Sequence, residues 1–310
     1  MQKNITFASI GDLCIDQYTQ LHTSFTGGSA FNTAIHAAKA GADVSLFTRL
    51  GTDANTKIFE EAFEKYSIDT SSIKKIKGQT SSINVTIDDT GQRSFSEWEL
   101  GVLKNYRLSS SDETKLKNYD IAKITYYKSL QSLFEKFCQI TFSKTIRVAD
   151  FAGNSNDSEN ILTIEKYIEQ CDIVIKSIES KDHQSFHFLN QLSLSHKNKI
   201  ILVLMGEEGS MVFSDGKMHT QQTKKVHARD TNGAGDAYIA HFIVSYVRDG
   251  NIQLAMKKGT EAACKTISKN HRNTSATIHR TPPPPTISMV GIEKTRGSTK
   301  SFNNANCFEV

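Results

Sequence analysis

Apolar positions along the chain follow two alternating rhythms. Short β-branched runs recur at Ile5–Ile10, Val44–Thr48, Ile121–Thr125, Thr145–Asp150, Ile173–Lys176 and Ile200–Leu204. Between them lie longer amphipathic stretches: Ala30–Ala40, Ile58–Tyr66, Leu133–Phe142, Ile161–Gln170, Ala237–Arg248 and Leu254–Ser268. In the second of these, Ile58, Phe59, Ala62, Phe63 and Tyr66 fall on one stripe, the spacing of a buried helix face. Strands alternating with helices predict an α/β protein with a mainly parallel sheet. Residues 79–98 break the rhythm. Ile83, Val85 and Ile87 alternate with polar residues, Asp88-Asp89-Thr90-Gly91 turns the chain, and Gln92–Trp98 alternates on the return. Such a hairpin either lies across one end of the sheet as a flap or extends the sheet's edge. A flap over the strand C-termini would shield a site from water.

The last segment reads differently. Pro282 to Pro285 are the only prolines in the chain, and polar residues with little apolar content follow. A disordered tail over 273–310 with a polyproline stretch at its root is expected.

Composition narrows the class. A chain of 310 residues with 38% hydrophobic and 23% charged residues can bury a sizeable core as one large or two ordinary domains. No apolar run approaches the ~20 residues of a membrane span. The start, Met1-Gln2-Lys3-Asn4-Ile5, lacks the apolar segment of a secretion signal, so a cytoplasmic location is expected. The five cysteines are scattered and never spaced Cys-x-x-Cys, which argues against a disulfide framework or a zinc site. A net charge of +4 with no clustered basic face excludes nucleic acid as the expected partner.

The chemistry concentrates in Asp230-Thr231-Asn232-Gly233-Ala234-Gly235-Asp236, which runs directly into a helical pattern. Glycines let backbone N–H groups approach an anion, and a helix N-terminus favours negative charge. Asp236 stands where the helix begins, placed to accept a proton from an attacking hydroxyl. A second cluster, Gly27-Gly28-Ser29-Ala30-Phe31-Asn32, also opens a helix, and Asn32 offers a donor and an acceptor to a sugar-like hydroxyl. Upstream, Gly11-Asp12-Leu13-Cys14-Ile15-Asp16 follows the first strand, where open α/β sheets bind ligands. Asp16 suits vicinal hydroxyls, whereas Asp12 reads first as a cap of the turn it stands in. His183 and His187 share a helix face without an evident third metal ligand, and Trp98 suits either ligand stacking or packing in the hairpin.

Gly27-Gly28-x-x-x-Asn32 paired with Asp230-Thr231-x-Gly233-Ala234-Gly235-Asp236 resembles the ribokinase-like (PfkB) family of sugar and nucleoside kinases, over roughly residues 4–270. More narrowly, Ile10–Asp16 and Leu100-Gly101-Val102 look like bacterial fructoselysine 6-kinases. The resemblance implies a three-layer α/β/α sandwich with a mainly parallel central sheet and a small β lid. It places the kinase domain at 1–272, with lid segments near 13–26 and 79–102. It implies ATP and Mg²⁺, possible K⁺ activation near the Asp230 loop, a small sugar substrate and a homodimer formed through the lid. By position, Asp236 matches the general base, and Gly233, Ala234 and Gly235 match the backbone anion hole. Asp16, Gly27, Gly28 and Asn32 match sugar contacts, and Gly206 and Gly209 match the turn that edges the nucleotide. The chain departs from the family where Asn-x-x-Glu reads Lys176-Ser177-Ile178-Glu179. Glu179 is there the candidate for organising metal through water. Thr56 also replaces a turn glycine. Phosphorylation of fructoselysine is the expected reaction; another sugar or nucleoside acceptor, or a non-catalytic sugar-binding protein, are the alternatives.

Overall fold

β-Branched runs form strands and striped runs form helices. In the computed structural model, residues 4–18, 20, 22–87, 93–151, 158–223, 233–268 and 277–279 are described, all within one unit spanning Met1–Arg280. In chain order they give β1 (Ile5–Ile10), β2 (Cys14–Tyr18), β3 (Thr23–Gly27), α1 (Ser29–Lys39), β4 (Ala42–Gly51), α2 (Thr56–Lys65) and β5 (Ile73–Ile76). There follow β6 (Ser82–Ile87), β7 (Arg93–Glu99), α3 (Ser110–Leu116), β8 (Ile121–Thr125), α4 (Gln131–Cys138), β9 (Ile146–Phe151), α5 (Ser158–Tyr167) and β10 (Ile173–Ser177). The remainder are α6 (His183–Ser195), β11 (Ile200–Leu204), β12 (Ser210–Ser214), β13 (Lys217–Gln221), α7 (Ala234–Asp249), α8 (Ile252–Ile267) and β14 (Thr277–His279). Each striped run gives a helix, but α4 stops at Cys138 although its apolar pattern continues to Phe142. Ile140 closes a tight turn onto the Phe137 carbonyl, and Phe142 folds back against the Phe137 ring at 5.5 Å.

The main sheet runs β13-β12-β11-β10-β9-β8-β1-β4-β5. Its strands from β11 to β5 pair in parallel, and β12 and β13 add an antiparallel edge. Alternate residues serve two layers. Ile5, Phe7, Ile121, Ile173, Ile175, Ile200 and Leu202 pack beneath α1, α2, α7 and α8. Ala8, Ile10, Ile124, Val174, Ile201 and Val203 pack beneath α3, α4, α5 and α6. Both faces being covered explains why the strands read apolar almost throughout. The chain winds outward from β1 through β4 to β5, then returns to β8 on β1's other side. That reversal leaves a crevice beyond the C-terminal ends of β1 and β8, the place where such sheets take ligands.

The hairpin of residues 79–98 does not extend the main sheet. β6 and β7 belong to a second sheet, ordered β14-β3-β2-β6-β7. Its inner strands, β2 and β3, interrupt the chain between β1 and α1, and Tyr18, Phe25 and Val85 form its own small apolar cluster. The hairpin turn at 88–92 lies outside the described residues. β14 pairs antiparallel with β3, from Thr277 against Phe25 to His279 against Thr23, so ordered pairing continues past residue 272. Residues 280–310, which include the proline run, lie outside the described residues. No helix among the described residues is long and apolar enough to cross a membrane.

Candidate active site

The site begins with an exchange of backbone partners around α1. After β1 the Asp12 carboxylate accepts hydrogen bonds from the backbone N–H of Ser29 (2.8 Å) and of Ala30 (3.1 Å). It therefore caps α1 from a neighbouring loop, satisfying donors that the helix start would leave exposed. Burial pushes the Asp12 carboxyl above its usual range, and these backbone bonds oppose the rise. Gly28, at φ +100°, sits immediately before the helix, where a Cβ would meet the Asp12 carbonyl oxygen at 2.8 Å. At Gly27 a Cβ would land on the buried carboxylate of Asp16, which lies against that glycine. The structure thus gathers Asp16, Gly27, Gly28 and, one turn into α1, Asn32.

The second motif meets the first head-on. Gly233 adopts a left-handed conformation (φ +72°) and opens α7, sixteen residues long, with Asp236 in its first turn. Asp236 Oδ2 accepts a bond from Asn32 Nδ2 at 3.2 Å; Oδ1 accepts from Ser29 Oγ at 2.8 Å and from Thr33 Oγ1 at 3.4 Å. Residues 204 positions apart are thereby joined. Gly235 is exposed, and nothing stands within 4 Å of where its side chain would be, so the N-terminus of α7 opens onto the crevice. Desolvation pushes the Asp236 carboxyl up to about 6; Lys123 opposes the rise, Asp150 adds to it, and the Ser29 and Asn32 bonds lower it again. The preceding loop, including Asp230, Thr231 and Asn232, lies outside the described residues.

Several neighbours escape sequence reasoning. Lys123, in the middle of β8, is 0% exposed and lies 3.3 Å from Asp150 Oδ2 at the end of β9. Its ammonium also donates to Ser29 Oγ (3.0 Å) and Thr125 Oγ1 (2.6 Å). A lysine centred in the apolar run Ile121-Ala122-Lys123-Ile124-Thr125 is the available signal, because a fully buried ammonium needs a partner. Tyr127, just beyond β8, has its phenol held well above the usual range by burial and by Asp12, Asp236 and Asp150. The Trp98 ring meets Tyr127 edge-on at 5.0 Å, and its Nε1 donates to Ser81 Oγ at 2.8 Å. Ser81 in turn donates to Cys14 Sγ, whose thiol burial and the nearby Asp16 hold well above the usual range. Trp98 is thus tied into the base of the small sheet, and Cys14 is an inert core thiol.

On the nucleotide side of the expected site, β11 ends in the tight turn Gly206–Glu208. Gly206 (φ +58°) and Gly209 (φ +100°) both have left-handed backbones, and a Cβ on Gly209 would strike the Gln221 carbonyl. Ser210, which follows, bonds the Tyr238 hydroxyl of α7 at 2.7 Å and ties this turn to the helix that carries Asp236. Glu179 is exposed just past β10, on the C-terminal edge of the sheet. Among the described residues no group of three or more His, Cys, Asp or Glu side chains converges on a metal position, and His183 and His187 gain no third ligand. Thr56, standing where a turn glycine was expected, donates its hydroxyl to the carbonyls of Gly51 and Asp53, both at 2.8 Å, and closes that turn itself.

Residues 16–278 match the family described as pfkB family carbohydrate kinase. The chain is 27% identical to the fructoselysine 6-kinase of Shigella flexneri, over 84% of this chain and 97% of that protein. It is 23% identical to a fructosamine kinase of Bacillus subtilis, over 83% and 89% respectively. The crystal structure of a Vibrio cholerae fructokinase with fructose, ADP and calcium superposes with a TM-score of 0.69 at 17% identity, covering 86% of this chain and 93% of that one.

Proposed function

We propose, for a chain that belongs to the pfkB family of carbohydrate kinases, that Asp236 is the base and the start of α7 the anion hole of phosphoryl transfer to a primary hydroxyl. The chain is an ATP-dependent sugar kinase. The observation that carries the assignment is the meeting of Asp236 with Asn32 and Ser29 beneath the open N-terminus of α7. The acceptor oxygen bonds to the γ-phosphorus of ATP as the bond from that phosphorus to the β–γ bridging oxygen breaks, and ADP leaves. The hydroxyl proton passes to Asp236 as the new bond forms, since a free alcohol is too weak an acid to ionise beforehand. N–H groups at 233–236 stabilise charge on the equatorial oxygens, and the positive end of the α7 dipole adds to them.

Asp16, Gly27, Gly28 and Asn32 form the acceptor wall in this reading, and Gly206 and Gly209 shape the turn beside the nucleotide. Magnesium commonly takes only one or two protein carboxylates and completes its shell with phosphates and water, so one exposed acid at Glu179 fits such an ion. When bound, the ion neutralises phosphate charge. Potassium would be held by carbonyls of the Asp230 loop. The small sheet serves as lid and as dimer surface, and the kinase unit needs nothing beyond Arg280. A chain truncated after Arg280 is expected to keep its kcat, measured in the coupled assay described next; a tenfold loss would give the tail a catalytic part.

Fructoselysine, phosphorylated at its 6-hydroxyl, is the acceptor we favour, on the strength of relatives named for that reaction and of a match spanning nearly their whole length. A coupled ADP-release assay across fructoselysine, fructose, ribose, a deoxy-gluconate and a ribonucleoside tests it. Fructoselysine should give the highest kcat/KM, and a tenfold preference for another acceptor would replace it. Gly27→Ala is expected to push the Asp16 carboxylate aside. The KM for acceptor should rise about tenfold, the loss of roughly one hydrogen bond to a charged group, with the KM for ATP unchanged. Equal rises in both constants would remove Asp16 from the acceptor wall.

A further inference from the structure

Lys123 has no exposed surface, yet it stands one hydroxyl away from Asp236. An ammonium only donates, so the oxygens of Ser29 and Thr125 must both accept from it. Ser29 has a single hydroxyl proton, and the 2.8 Å contact commits it to Asp236 Oδ1. The 2.9 Å contact between Ser29 and Thr125 then runs one way, with Thr125 donating. With Asp236 ionised, both lone pairs of Ser29 Oγ are thereby filled, one by Lys123 and one by Thr125, and a protonated Asp236 could donate to Ser29 only if the Ser29–Thr125 bond reversed. Asn32 and Thr33 also donate to the carboxylate. Oδ1 receives two donors and Oδ2 only one.

We propose that Lys123 is a positioning residue: directly and through Thr125 it fixes the direction of the Ser29 hydrogen bond that reaches Asp236 Oδ1. That arrangement favours the ionised base, with Oδ2, which receives a single donor, as the atom that takes the proton. The inference rests on the reading of Asp236 as base. The charged and titratable groups facing this cluster are Asp12 from the loop after β1, Cys14 and Asp16 on β2, Tyr127 beyond β8 and Asp150 on β9. α1 contributes only the neutral Ser29, Asn32 and Thr33. Lys123 is therefore the one cation among the described residues in a cluster of carboxylates, and Asp150 locks its ammonium in place.

The test is the titration of Asp236 in the free protein, followed by NMR of ¹³C-carboxyl-labelled aspartate. The resonance is assigned by its loss in Asp236→Asn, and the acid limb of kcat with fructoselysine is recorded alongside. The unaltered protein should titrate near pH 6. Ser29→Ala, Thr125→Val and Lys123→Met should each raise the midpoint, Lys123→Met by about one unit or more, so that its turnover at pH 6 falls about tenfold relative to pH 9. Ser29→Ala and Thr125→Val leave the Lys123–Asp150 pair intact, so the decision does not depend on Lys123→Met folding. A midpoint unmoved in Ser29→Ala or Thr125→Val overturns the relay. Full turnover in Asp236→Asn overturns the base assignment instead.

Discussion

Asp236→Asn is expected to lower kcat by about 10³-fold, within the range that a positioned general base contributes, while Kd for ATP changes less than about twofold. The asparagine is nearly isosteric and can still meet Asn32, Ser29 and Thr33, so the N-terminus of α7 should keep its shape. What disappears is an oxygen able to hold a proton. In the unaltered enzyme the pH profile should carry the same signature. Desolvation sets the Asp236 carboxyl near 6, so the competent, ionised form is lost as pH falls through about 6 and is complete above about 7. The variant should lack that acid limb and show a flat residual rate. Rates from the coupled assay between pH 5 and 9, with calorimetric ATP titrations, decide the matter. Turnover within tenfold of normal would place the base elsewhere.

Asp150→Leu is expected to cost about 3–5 kcal/mol of stability, the usual consequence of leaving one member of a buried ion pair alone. It strands the Lys123 ammonium where no solvent reaches it. The unfolding midpoint in urea should drop sharply. Combining Asp150→Leu with Lys123→Met should restore most of the loss, because two apolar side chains of similar volume often replace a buried pair without penalty. The double variant's Asp236 titration midpoint should fall below that of Lys123→Met, because the Asp150 charge that raises it is removed as well. A double variant as unstable as Asp150→Leu alone would mean that the pair matters for shape rather than charge.

The layered body was legible because burial on both faces writes itself into apolar runs of fixed length. Strands β1, β8 and β11 and the stripes of α1 and α2 could be placed within a residue or two, while α7 begins three residues before the stripe that marks it, at Ala234. Asp12 reads in the sequence as a cap of its own turn, whereas it caps α1 from 17 residues away, because β2 and β3 loop out and bring the chain back to it. Elements that bury less left weaker traces. β2 and β3, Cys14–Tyr18 and Thr23–Gly27, mix polar with apolar positions because they form a small separate sheet. The site was legible where glycine was obligatory, at Gly27, Gly28 and Gly233, since φ and close approach constrain residue type locally. Lys123, Thr125, Asp150 and Tyr127 were overlooked for the opposite reason. Each sits inside or beside a strand, and its meaning comes from neighbours on other strands that periodicity does not connect.

The 204-residue gap between Asn32 and Asp236 bears on how the protein comes into being. Synthesis proceeds at about 5–20 residues per second, so the segment from Asp12 to Asn32 and the switch point can assemble long before α7 emerges. Until then Ser29 and Lys123 lack the carboxylate of Asp236, the base we propose. A ribosome-bound chain stopped before residue 233 would carry all nine strands of the main sheet but lack Asp236, the proposed base. With Asp236 as the proposed base, competence would arrive abruptly, with the docking of one late helix, and a growing chain exposed to ATP and sugar would stay silent until nearly the whole unit has been made.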